Sequence, residues 1–150
     1  MSDAMPEVVW KTHPVHVFYQ ASSDGRIRSL DRFVTQGNHI PGVQFKVFRK
    51  GKELKQFNVG PKRGQYLAFD LAPGNAKKRK MRAHRFICEV FHGPAPSPDH
   101  EVRHLNGNPK DNRIENLRWG TAAENAQDRI RHGRQYRGAG GRRKAQPTHA

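Results

Sequence analysis

Cysteine is nearly absent from this 150-residue chain, and Cys88 is the only one. A single thiol excludes a disulfide framework and any zinc ribbon built on cysteine pairs within the chain. Its neighbours Phe86, Ile87, Val90 and Phe91 are apolar, so a buried, unreactive thiol is expected. Acidic residues are scarce too: 13 Asp and Glu stand against 28 Lys and Arg, for a formal net charge of +15. An imbalance of that size speaks to partners rather than fold, and it points to a polyanion. Long apolar runs and Lys-rich amphipathic helices are missing, which argues against a membrane partner. The opening MSDAMPEVVW has no basic start and no apolar signal core, so a cytoplasmic location is expected. Apolar residues make up 34% of the chain, enough for one modest core, or for one domain with a small companion.

The first half reads as short antiparallel strands after a loose leader over residues 1–9. Val15, Val17 and Tyr19 alternate with His16 and Phe18, and Ser23-Asp24-Gly25 turns the chain into Arg26-Ile27-Arg28-Ser29. Residues 43–48 (VQFKVF) and 54–59 (LKQFNV) flank Arg49-Lys50-Gly51-Lys52-Glu53, a hairpin pattern with glycine in the turn. Leu67, Phe69 and Leu71 share one face of a further alternating run. The expected core of this half is Val43, Phe45, Val47, Phe57, Leu67 and Phe69. Next comes Lys77-Lys78-Arg79-Lys80, followed by Arg82 and Arg85, expected as a basic loop between strand and helix that meets phosphates. Residues 84–92 show a helical apolar face of Phe86, Ile87, Val90 and Phe91, broken by Gly93-Pro94-Ala95-Pro96-Ser97-Pro98.

Residues 101–133 are the most informative stretch: EVRHLNGNPKDNRIENLRWGTAAENAQDRIRHG. They predict a short strand ending at a histidine, a polar loop, a second short strand and a helix. Thr121-Ala122-Ala123-Glu124 fits a capping box. Gly133 suits the left-handed residue past the helix, and Arg129, Arg131 and His132 lie where cations favour its C-terminal dipole. Beyond it the tail is rich in Gly, Arg and Lys with no large aliphatic residue, which predicts a disordered, basic arm. The expected organisation is therefore an α+β chain with a β-rich module over 1–75, a second domain over 76–133 and a basic tail over 134–150.

His104, Asn116 and Asn125 are separated by 12 and 9 residues. With Arg103-His104-Leu105-Asn106-Gly107-Asn108, Asp111-Asn112-Arg113, Glu115-Asn116-Leu117, Trp119-Gly120-Thr121 and Glu124-Asn125, this spacing resembles the HNH endonuclease family. The likeness is to its zinc-free phage and intron-homing branch. In that family a two-stranded ribbon packs on one helix around a single metal ion, the ββα-metal finger. A leading Trp, then Tyr and Ser before Gly25-Arg26-Ile27-Arg28-Ser29, is similar to a small module found ahead of such domains, taken there to contact DNA or position the substrate; an ordinary hairpin completing a sheet is the equal alternative.

The resemblance implies a metal-dependent endonuclease that hydrolyses phosphodiester bonds of double-stranded DNA, leaving 5′-phosphate and 3′-hydroxyl ends. It also implies a phage or prophage protein in a bacterial host. His104 would be the general base, a task suited to imidazole near neutral pH. Asn125 would give a hard oxygen to one divalent cation, Mg²⁺ or Mn²⁺, with no small-molecule cofactor. Asn116 would brace the loop and orient His104. DNA would be held by Lys77, Lys78, Arg79, Lys80, Arg82, Arg26, Arg28 and Arg113. His84 falls where relatives carry a supporting histidine. Many relatives place an acidic or histidine ligand just before the general base, where this chain has Arg103. Arg103 would then clamp the scissile phosphate while Asp111, Asp99 or His100 completes the metal shell. The alternative is a catalytically weak or inactive HNH-fold DNA binder. An RNA-binding protein would want an aromatic RNP strand or a GXXG clamp, and neither is present.

Overall fold

The computed structural model describes residues 7–37, 40–61, 65–72 and 77–133. The expected tail over 134–150, and most of the leader, lie outside the described residues. Among the described residues, ten strands and two α-helices follow in order: β1 (Trp10–Thr12), β2 (Tyr19–Ser22), β3 (Ile27–Ser29), β4 (Arg32–Gly37), β5 (Gln44–Arg49), β6 (Phe57–Val59), β7 (Tyr66–Leu71), β8 (Arg79–Arg82), α1 (Ala83–His92), β9 (Glu101–His104), β10 (Leu117–Gly120) and α2 (Ala122–Arg131). A 3₁₀ turn at Ile114–Asn116 leads into β10. The strands form four small antiparallel sheets, β1-β2-β3, β4-β5, β6-β7-β8 and β9-β10. The architecture is the expected α+β arrangement.

Helix α1 is the hub. Its apolar stripe buries Phe86 and Ile87 completely, and Cys88 is buried beside them. One cluster joins Tyr19, Ala21 and Ile27 of the first sheet, Phe69 and Leu71 of β7, α1 itself, and Val102 and Leu117 of the β9–β10 ribbon. The two halves therefore share a core. A second link is polar: buried His13 donates from Nε2 to Glu89 on α1 at 2.7 Å, because its Nδ1 accepts from the amides of Val15 and His16 at 3.1 Å. Burial pushes the Cys88 thiol up to about 12, so the thiol is inert as expected.

Several expectations for the strands and the basic run need correction. The strand containing Tyr19 begins at that residue, since the His13 ring and Pro14 fold Val15 and Val17 into an exposed turn. Strand β5 pairs with β4, Phe33 opposite Phe48, and not with residues 54–59. Gly51 is no hairpin turn. Its amide donates to Asp31 Oδ1 at 2.6 Å, and a side chain there would collide with the backbone of Ser29 and Leu30. The segment runs along β3, with Ser29 N donating to Lys52 O and Leu54 N to Ile27 O. Val43 and Phe45 are exposed because the β4–β5 hairpin stands away from the core, of which Phe69 is the central member of the expected set. Finally, the basic run is partly a strand: Arg79–Arg82 forms β8 against β7, so this sheet crosses residue 75 where a boundary was expected.

Candidate active site

The ribbon and α2 assemble as the capping chemistry predicts. Thr121 Oγ1 accepts from the Glu124 amide at 3.2 Å while Glu124 Oε1 accepts from the Thr121 amide at 3.2 Å, closing the box. Gly133 takes a φ of 70° beyond the helix. In the ribbon, His104 lies opposite Leu117 and Arg103 opposite Arg118. Side chains alternate along β9, so Val102 enters the core while Glu101 and Arg103 reach toward α2.

His104 ends β9 with its ring against two others. His84 lies edge-on at 5.3 Å between centroids, and Tyr66 is tilted at 6.4 Å. Burial pushes His84 down to about 3, with the nearby His104, Arg82 and Arg85 acting in the same direction. His84 is thus a neutral wall at ordinary pH. His104 Nε2 donates to Asn112 Oδ1 at 2.9 Å. Since an amide oxygen only accepts, Nδ1 is the nitrogen that carries the lone pair of the neutral ring.

Asn116 is buried and organises the loop between His104 and the 3₁₀ turn. Its Oδ1 accepts from Asn106 N at 2.8 Å, and its Nδ2 donates to Asn106 Oδ1 at 3.0 Å and to Asp111 O at 2.8 Å. Asn112, which spacing alone does not single out, bonds directly to the His104 ring. Nearby asparagines in an asparagine-rich loop look alike in sequence, and only the loop's path separates them.

On α2, Asn125 Nδ2 donates to Glu101 Oε2 at 2.7 Å, which leaves its amide oxygen as the acceptor end. Asn125, Arg129 and His132 line a small cleft together with Tyr66 and His104, so helix and ribbon bring the expected pair to one place. Arg103 is engaged elsewhere. Its Nε and Nη2 grip Asp128 at 2.7 and 3.0 Å, and Nη1 reaches Glu124 at 3.2 Å. Hydrogen bonds from Arg103 hold the Asp128 carboxyl below its usual range. The fork expected to clamp a phosphate instead ties strand to helix.

Two of the three anticipated replacement ligands, Asp111 and His100, are also occupied, while Asp99 is bonded through its backbone amide to Ser97 Oγ at 3.3 Å. Asp111 receives Arg113 Nε and Nη2 at 2.8 Å and is pushed down to about 2 by that pairing. His100 Nδ1 bonds Ser97 Oγ at 2.7 Å. Among the described residues, no group of three or more His, Cys, Asp and Glu side chains is placed to hold a metal ion. The hard oxygens at hand are those of Glu101 and Asn125, a pair of the kind magnesium accepts when water and substrate phosphate fill the remaining shell. Glu101 was legible in principle, since it lies two residues before Arg103 on the same strand face.

The basic residues fall into two groups. Lys77, Lys78, Arg79, Lys80 and Arg82 are exposed on and just before β8. Of these, Arg82 lies 5.1 Å over the Tyr66 ring and Lys80 5.7 Å over that of Phe57, whereas Arg26, Arg28 and Arg113 are engaged more closely: Arg26 pairs with Asp24 and Glu53, Arg28 lies 4.1 Å over the Trp10 ring, and Arg113 holds Asp111.

Comparison with known proteins places the chain among related sequences. Residues 81–127 match the HNH endonuclease family model, and residues 9–59 match the NUMOD4 motif. The chain is 28% identical over 127 residues to an uncharacterized HNH endonuclease of Acanthamoeba polyphaga mimivirus, covering 81% of this chain and 26% of that protein. It also resembles the solved HNH homing endonuclease I-HmuI, a structure described for DNA binding and cleavage. The TM-score is 0.61 at 27% identity, over 86% of this chain and 62% of that one. The chain thus spans about a quarter of the viral relative and under two thirds of the homing enzyme.

Proposed function

We propose that the chain, whose residues 81–127 match the HNH endonuclease family model, hydrolyses phosphodiester bonds of double-stranded DNA with His104 as general base. The observation that carries this reading is the cleft that joins His104 to Asn125, with the His104 ring held through Nε2 by Asn112. Nδ1 then takes a proton from the attacking water as its oxygen bonds to phosphorus, the P–O3′ bond breaks, and the departing 3′-oxygen takes a proton from solvent, giving a 5′-phosphate and a 3′-hydroxyl. Neutral His84 and Tyr66 confine the ring without adding a competing charge. Asn116 keeps the loop closed, and Arg103 with Asp128 fixes the separation of ribbon and helix.

Members of the family generally use a divalent metal ion. Asn125 and Glu101 are the residues that would hold it, and it would supply neutralisation of charge on the phosphate. Mg²⁺ or Mn²⁺ suits these oxygens. Duplex DNA would lie along the exposed cations of β8 and the segment before it, Lys77, Lys78, Arg79, Lys80 and Arg82. Arg26, Arg28 and Arg113 contribute only by exchanging their present partners.

One observation favours a second reading. Arg103 stands where many relatives carry an acidic or histidine ligand, and its guanidinium is committed to Asp128 and Glu124. On that reading the protein binds DNA without cutting it. Supercoiled plasmid incubated with the protein and Mg²⁺, Mn²⁺ or excess chelator separates the two. Relaxed or linear product that requires the metal supports hydrolysis; salt-sensitive binding with intact plasmid under every metal supports the binder.

A further inference from the structure

We propose that Asn112 is a positioning residue which sets the tautomer and aim of His104, and that the β2–β3 turn of the N-terminal module holds Asn112 in place. This inference rests on the reading of His104 as general base and extends it to how that base is assembled.

Asn112 is 4% exposed and its Oδ1 accepts from His104 Nε2 at 2.9 Å. Its Nδ2 is buried with no hydrogen-bond partner among the described residues. Burying an amide with one end unsatisfied is unfavourable, and a leucine of similar size would avoid that cost. The position therefore gains only through Oδ1, and Oδ1 serves the His104 ring.

Two elements grip Asn112 from opposite sides. On the site side, Asn116 Nδ2 holds the preceding carbonyl, Asp111 O, at 2.8 Å. On the other side lies the turn Ser23–Gly25. Gly25 has a φ of +93°, and a Cβ there would sit 3.2 Å from Asn112 O and 3.4 Å from Asn112 Cβ. Two residues on, Ile114 N donates to Ser23 O at 3.1 Å. The turn is itself fixed: Gln56 Nε2 donates to Gly25 O at 2.9 Å, and Ser22 bonds Asp24 within it. The module matched by the NUMOD4 motif thus touches the residue that aims the base, and a displaced turn would release Asn112.

His84 of α1 and Tyr66 of β7 meet the His104 ring as edge-on and tilted contacts, and Arg129 and His132 of α2 line the cleft with Asp128, which is taken by Arg103.

The test uses the full chain with ¹⁵N-labelled histidine, read by long-range ¹H–¹⁵N spectra at about pH 9, above the ordinary imidazole range. Single-turnover cleavage and DNA affinity are measured in parallel. Wild type should show a single Nε2–H tautomer at the resonance that His104→Ala removes. Asn112→Leu should mix the tautomers and slow cleavage about a hundredfold, within the span general-base catalysis contributes, with DNA affinity unchanged. Asn112→Asp keeps an acceptor for Nε2–H and should keep the tautomer, which guards against a mere folding defect. Gly25→Ala should perturb the His104 resonance and slow cleavage while leaving affinity intact. An Asn112→Leu protein with wild-type tautomer and rate overturns the positioning role. A Gly25→Ala protein unchanged in both overturns the link to the turn. Cleavage that survives His104→Ala would instead sink the general-base reading, whatever the tautomer.

Discussion

His84 is the residue whose titration the fold alters most visibly. Burial holds it near 3 against an ordinary value of 6.5, so the unfolded chain binds a proton that the folded chain refuses across that interval. Its depressed value makes its contribution to stability complete above about pH 6.5 and progressively lost as pH falls toward 3. Urea midpoints measured across this window should fall steeply for wild type and less steeply for His84→Gln. Equal slopes would mean that His84 titrates as an exposed histidine. The same neighbourhood shows what sequence can deliver at this scale. His104 and Asn125 were legible from spacing, because a short ribbon and a capped helix leave few ways to bring them together. Asn112 was not, because its role depends on a loop path, and Glu101 showed only as a residue on the same strand face as Arg103, with no sign of which face meets α2. Arg103 was legible as an oddity, and its Asp128 partner 25 residues later required the fold.

At the scale of elements, helix α2 is held to the ribbon by two devices that can be removed one at a time. Thr121→Ala opens the capping box and should lower stability by about 1 kcal/mol, the usual value of an N-cap hydroxyl. Asp128→Asn leaves the largely buried Arg103 without its bidentate acceptor and should cost more, about 3 kcal/mol. Thermal or urea unfolding of both variants checks the ranking, and a Thr121 variant worse than the Asp128 variant would contradict it. The helix and ribbon were readable because their signals are local: a cap, a terminal glycine and a period. The β4–β5 hairpin was misread for the opposite reason. Gly51 satisfies a turn pattern, yet it is glycine because the backbone of Ser29 and Leu30 passes too close for a side chain. Nothing in the sequence around Gly51 announces that approach.

For the whole molecule, the excess of 28 basic over 13 acidic side chains is the feature that composition made plain, and the fold distributes it unevenly. Replacing Lys77, Lys78, Arg79 and Lys80 with alanine should weaken DNA binding and flatten its salt dependence by about 0.9 in log–log slope for each phosphate no longer neutralised. An unchanged slope, measured by titration at several salt concentrations, would move the DNA to another face. The shared core and the His13–Glu89 bond make the two halves one cooperative body, so a single unfolding transition is expected by circular dichroism and by tryptophan fluorescence. The general-base role is tested most directly by His104→Ala, assayed for binding and for metal-dependent cleavage of the same duplex. Cleavage should fall by at least about a hundredfold, while affinity stays within about twofold of wild type. A variant that cuts at the wild-type rate would contradict that role.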